Sequence, residues 1–149
     1  MCEIANNLFE LLFQGTIAGL IVVFVTEALA RRKNNRLCCK WCKLLSIEIS
    51  CHVTQLKTFR TIGSTFPTSH PFVPMMDTWQ EAKQYLMPLP TSLLEEIANY
   101  YVGLENFSLM IQESTMDTPP LNEAQHINFL LKSAEALLFQ INSYQQATD

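Results

Sequence analysis

Residues 37–59 read LCCKWCKLLSIEISCHVTQLKTF, and the spacing of their apolar positions decides the fold. Cys38, Cys42, Leu45, Ile49, Val53 and Leu56 recur three or four residues apart, the period that lines one side of a helix, and neither Pro nor Gly interrupts them. The stretch predicts one long helix with a buried stripe, continuing from the segment that precedes it.

Toward the C-terminus the pattern breaks and then returns twice. Residues 61–76, TIGSTFPTSHPFVPMM, carry Gly63, Pro67, Pro71 and Pro74, which rule out a helix or an inner strand and predict an extended crossover. Phe66, Phe72, Val73, Met75 and Met76 are the side chains such a crossover would bury against a helix surface. Thr78-Trp79-Gln80-Glu81 has the form of a capping box and predicts a short helix to about Met87, ahead of Pro88 and Pro90. Ser92-Leu93-Leu94-Glu95 repeats the device. A stripe of Leu94, Ile97, Tyr101, Leu104 and Ile111, with Leu93, Tyr100 and Phe107 beside it, then runs to about Ser114. Asn122 with Gln125 marks a last helix, whose stripe is Ile127, Leu131, Ala134, Leu138 and Ile141, flanked by Leu130, Leu137 and Tyr144. Three long helices of about 24 residues, hence about 36 Å each, match in length. The fold class is therefore all-α, with residues 37–149 forming a small antiparallel up-and-down bundle of three long helices and one short one.

Toward the N-terminus the composition changes character. Residues 8–30, LFELLFQGTIAGLIVVFVTEALA, are long enough as a helix, about 35 Å, to cross the roughly 30 Å hydrocarbon layer once. They predict a transmembrane helix after a short arm, residues 1–7. Residues 31–36 follow as a basic juxtamembrane segment containing Arg31, Arg32, Lys33 and Arg36. All ten Lys and Arg residues lie after Ala30, whereas the acids of the first ten residues are Glu3 and Glu10. The positive-inside bias then puts the N-terminus outside and the C-terminal domain in the cytoplasm of a single-pass membrane protein. Ala28-Leu29-Ala30 has the form of a signal-peptidase site, but the acidic arm, the length of the apolar run and the basic cluster beyond it favour a retained anchor. Gly15 and Gly19, four residues apart, offer a possible helix-helix contact for a homo-oligomer. Glu27 stands one turn before Arg31, where it can pair at the interface.

Charge separates the remaining chain. Residues 31–60 hold eight Lys and Arg against Glu48 alone, and residues 61–149 hold Lys83 and Lys132 against ten carboxylates. The first part is drawn to an anionic lipid bilayer and the second repelled from it. Topology accounts for the basic segment, which has no aromatic interleaving or reading motif to suggest nucleic acid.

Chemistry concentrates in residues 38–52, where Cys38, Cys39, Cys42, Cys51 and His52 crowd together and Cys39 to Cys42 is a C-x-x-C. Cys39, Cys42, Cys51 and His52 are the metal candidates, but a straight helix puts Cys38, Cys42 and His52 on the core stripe and rotates Cys39 and Cys51 away. The better reading makes Cys38 and Cys42 small core hydrophobes in a reducing compartment. Glu48 and His52, also one turn apart, form an acid-base couple in spacing only, with no nucleophile to complete a site. With four glycines in the chain, two of them in the anchor, a phosphate-cradling loop is close to excluded. No catalytic residue and no cofactor follow. The chain reads as a non-enzymatic interaction or accessory module on a membrane anchor, with a thiol-redox or metal-binding membrane protein as the alternative.

Glu48-Ile49 with His52 and Leu56, Asp77-Thr78-Trp79, Leu89-Pro90 with Leu93, and Tyr100-Tyr101 give the chain a likeness. It resembles a loose group of uncharacterised bacterial proteins with one N-terminal transmembrane helix and a small cytoplasmic helical domain. His52 stands where that pattern would have Asn. The resemblance implies an inner-membrane location and this architecture, without an activity.

Overall fold

A computed structural model describes residues 2–62, 74–113 and 123–148, and for residues 2–15, 18 and 62 the backbone alone. The described residues form four helices and no strand: α1 (Cys2–Ile62), α2 (Asp77–Ala82), α3 (Thr91–Glu113) and α4 (Glu123–Thr148). α1 is a single helix of 61 residues, so the predicted long helix does continue from the segment before it. By packing the chain divides into two units, Met1–Arg36 and Leu37–Asp149.

In the first unit the side chains described from Thr16 onward are exposed, including Ile17, Leu20, Ile21, Val22, Val23, Phe24, Val25 and Leu29. Glu27 accepts a hydrogen bond from the Arg31 guanidinium at 2.6 Å, the predicted one-turn pair. Gly19 has open space where a side chain would project. Among the described residues no helix is long and apolar enough to cross a membrane. The side chains of residues 2–15 and 18 lie outside that description, and the expected span of residues 8–30, with Gly15, falls partly on them.

The second unit is the bundle. Its core takes Cys38, Cys42, Leu45, Ile49 and Leu56 from α1, Leu93, Ile97, Tyr100, Tyr101, Leu104 and Phe107 from α3, and Ile127, Leu130, Leu131, Ala134, Leu137 and Ile141 from α4. Each Leu, Ile or Phe of this set contributes about 1.5–3 kcal/mol by leaving water. The helix directions follow from the cross-links. Gln140 donates to Glu96 and Gly103 lies against Leu130, so α3 and α4 are antiparallel. Gln145 reaches the Cys39 carbonyl, Lys57 pairs with Glu135 and Arg60 with Asn128, so α4 also opposes α1. Glu48 meets Tyr101 and Phe59 meets Phe107, so α1 and α3 run the same way. The return between those two is made by the segment that holds α2.

Several local expectations change. α2 ends at Ala82 rather than near Met87, and the Thr78 capping box does not form: Met76 holds the cap position without a side-chain hydrogen bond. Residues 83–88 are turns instead, with Leu86 and Leu89 dipping into the core. α3 starts one residue before Ser92, with the Leu94 N–H bonded to the Pro90 carbonyl at 3.1 Å. Its buried face is centred nearer Leu93, Tyr100 and Phe107 than Leu94 and Ile111, both only half-buried. Met75 is 57% exposed, contrary to its expected burial, because its carbonyl is the part turned inward. The rest of the crossover, residues 63–73, and Asn122 lie outside the described residues.

Candidate functional site

The polar chemistry of the bundle converges where α1 faces α2 and α3. Glu48 and His52 sit one turn apart beside the α1 core stripe, which buries both: Glu48 is 5% exposed and His52 fully enclosed. A carboxylate so placed needs partners, because burying a charge without hydrogen bonds costs several kcal/mol. Both oxygens have one. Oε1 accepts the Tyr101 hydroxyl at 2.6 Å from α3, and Oε2 accepts the Thr78 backbone N–H at 3.0 Å from α2. Glu48 therefore does for α2 what Thr78 was expected to do. It satisfies a first-turn N–H, and its negative charge suits the positive end of the helix.

His52 is held from the other side. Its Nε2 lies 2.6 Å from the Met75 carbonyl, and since a carbonyl only accepts, Nε2 carries the proton. Nδ1 is then the unprotonated nitrogen, and it is buried with no hydrogen-bond partner among the described residues, as is the Tyr100 hydroxyl. Aromatic rings close the surroundings. The Trp79 indole stacks on Tyr101 with centroids 5.1 Å apart and planes within 7°, while His52 meets the Tyr101 ring edge-on at 5.9 Å and Tyr100 at 6.1 Å. Tyr100 and Tyr101 are themselves edge-to-face at 5.5 Å.

Burial sets the protonation states. Desolvation holds the His52 imidazole below its ordinary 6.5, outweighing the Met75 carbonyl and the Glu48 charge, which both favour the cation. The same desolvation pushes the Tyr100 and Tyr101 phenols upward, Tyr101 further through its bond to Glu48. At neutral pH the imidazole is therefore neutral and both phenols keep their protons. A carboxylate and a free imidazole nitrogen are base chemistry in principle. Here both carboxylate oxygens are taken and the imidazole is walled in by rings, so the arrangement ties α1, α2 and α3 together. Sequence reasoning located Glu48 and His52 one turn apart. It missed the Met75 carbonyl, which carries no residue-type signal, and the role of Tyr101, which its apolar periodicity concealed.

The thiols divide as helix geometry predicts. Cys38 and Cys42 are buried, Cys39 is half-buried and Cys51 is exposed. The Cys42 thiol is pushed up by its hydrogen bond with Cys38 and by burial, which keeps it protonated. Tyr144 of α4 shares this corner, its phenol raised by desolvation to about 12. Cys39, Cys42, Cys51 and His52 do not converge: among the described residues no group of three or more His, Cys, Asp or Glu is placed to hold a metal ion. His126 lies on the outer side of α4, and His70 is outside the described residues. A shallow groove of about 320 Å³ lies elsewhere, along α1 and α4, lined by Lys57, Arg60, Asn128, Leu131, Lys132 and Glu135. Arg31, Arg32, Lys33 and Arg36 are all exposed.

No protein family, curated protein or solved structure matches this chain.

Proposed function

We propose that residues 8–30 anchor the chain in a cell membrane as a single span, and that the bundle is a non-enzymatic interaction or accessory module on the cytoplasmic side. The observation that carries this reading is the run from Leu20 to Val25. Six consecutive large apolar side chains are exposed around the whole circumference of a helix, and Arg31, Arg32, Lys33 and Arg36 follow within about three turns. In water such a surface is costly at about 25 cal/mol per Å², whereas in hydrocarbon it is matched. The Glu27–Arg31 pair suits the headgroup border, and the open face at Gly19 leaves room for a second copy of the helix.

The module part of the reading is supported by the bundle's use of its polar groups. Glu48 and Tyr101 are engaged with one another and His52 with Met75, which leaves the outer surface for recognition. On α4 that surface carries Phe129 at 66% and Phe139 at 74% exposure. The bilayer is one partner, and another copy of the chain or a subunit of a membrane complex is the second.

Alkaline carbonate extraction tests the anchor, with the chain expected in the membrane pellet. Labelling of exposed Cys51 by a membrane-impermeant maleimide tests the orientation. Reaction of Cys51, read on its own tryptic peptide, only after permeabilisation is the expected result, and release into the carbonate supernatant would overturn the anchor.

A further inference from the structure

Amphipathic and basic side chains gather at the end of the bundle where α1 enters it. Trp41 stacks face to face on Tyr85, with centroids 5.3 Å apart and planes within 4°. Met87, in the turn that follows, is 77% exposed, and Leu44 is exposed one turn along the outer face of α1 from Lys40. Lys40, Lys43 and Lys83 are exposed as well. Residues 37–47 and 80–94 hold these three lysines and Glu81; Glu48, next in the first stretch, is buried, and Glu95 and Glu96, next in the second, are exposed.

Ring pairs with a polar edge, an unbranched apolar side chain and lysines able to extend their ammonium groups are what a headgroup layer accepts. A negative leaflet adds attraction to the lysines. Chain connectivity enforces the proximity. Residues 31–36 span at most about 20 Å even when fully extended, so residues 37–41 stay within reach of the headgroups once residues 8–30 are in the bilayer.

We propose that Trp41, Tyr85 and Met87, with Lys40, Lys43 and Lys83, form a surface that docks on the anionic leaflet of the membrane in which the chain is anchored. This rests on the anchor reading and extends it, making the bundle a body seated on the lipid. The acidic remainder of the domain then faces away from the membrane.

The test uses the full-length chain in lipid nanodiscs, either of phosphatidylcholine alone or with phosphatidylglycerol added. Amine-reactive footprinting of the unaltered protein reads the lysines: Lys40, Lys43 and Lys83 become protected in anionic discs relative to Lys57 and Lys132, and lose that protection in neutral discs. In a Trp79→Phe variant Trp41 is the remaining tryptophan. Its emission is quenched by headgroup-labelled lipid in anionic discs, and a further Lys40→Glu, Lys43→Glu pair abolishes this. Equal modification of all five lysines in inserted protein, or Trp41 fully open to aqueous iodide, overturns the docking surface and leaves the anchor standing. Protection that depends on the number of chains per disc and not on lipid charge also overturns it, assigning the surface to a second copy. Failure of the chain to insert at all is seen separately, as protein recovered without discs, and removes the anchor together with this inference.

Discussion

Replacing Tyr101 by Phe deletes one oxygen atom and tests the whole account of the buried cluster. The Tyr101 hydroxyl donates to Glu48 at 2.6 Å, the carboxylate is buried, and Thr78 N–H is the other group bonded to it. A hydrogen bond to a charged acceptor contributes about 1.5–3 kcal/mol, and solvent does not enter to replace this one. Phe keeps the ring that stacks on Trp79 and meets His52 edge-on, so the apolar burial is nearly unchanged. Tyr101→Phe should therefore cost about 2 kcal/mol, or roughly 10 °C in Tm for a domain of this size. Tyr101→Leu, which also removes the stack, should cost more. Both tryptophans lie in the bundle, so urea unfolding of the full chain in mild detergent, followed by their emission, reads the right unit. A Tyr101→Phe variant within about 0.5 kcal/mol of the parent, beside a strongly destabilised Tyr101→Leu, would refute the argument and reduce Tyr101 to a packing ring.

Glu48→Gln retains the shape but weakens the bond to Thr78 N–H, and a six-residue helix with no side-chain cap cannot persist without that tie, so α2 should become the first site of limited proteolysis. An unchanged cleavage pattern would show that the Trp79 stack holds α2 by itself. The unfolded chain's His52 takes up its proton as pH falls through about 6.5, while burial delays this in the folded state. Stability from this group is therefore complete above about pH 6.5 and declines as pH drops toward the folded pKa, by at most about 1.4 kcal/mol per pH unit. His52→Leu should flatten that part of the profile in urea titrations, and a parallel profile would contradict the buried neutral imidazole. Among the described thiols, Cys51 should react first with a disulfide reagent and Cys42 only on unfolding, as followed by mass spectrometry of the tryptic peptides.

Residue pattern alone determined the helices and most of the core. The three-four spacing of Cys38, Cys42, Leu45, Ile49 and Leu56 places those residues on one face in any α-helix, and the same holds for Ile97, Leu104, Ile127, Leu137 and Ile141, all buried as expected. It also divided the thiols, since 100° per residue turns Cys39 and Cys51 away from Cys42 in every straight helix. Tertiary structure alone decided which partners the buried polar groups take. Thr78 was expected to cap its own helix, but Glu48, thirty residues earlier, fills that place, and the carbonyl of Met75 selects the tautomer of His52. Those outcomes depend on where two separate helices come to rest, because a backbone N–H or carbonyl bonds whichever group packing brings within about 3 Å, and no residue code marks it in advance.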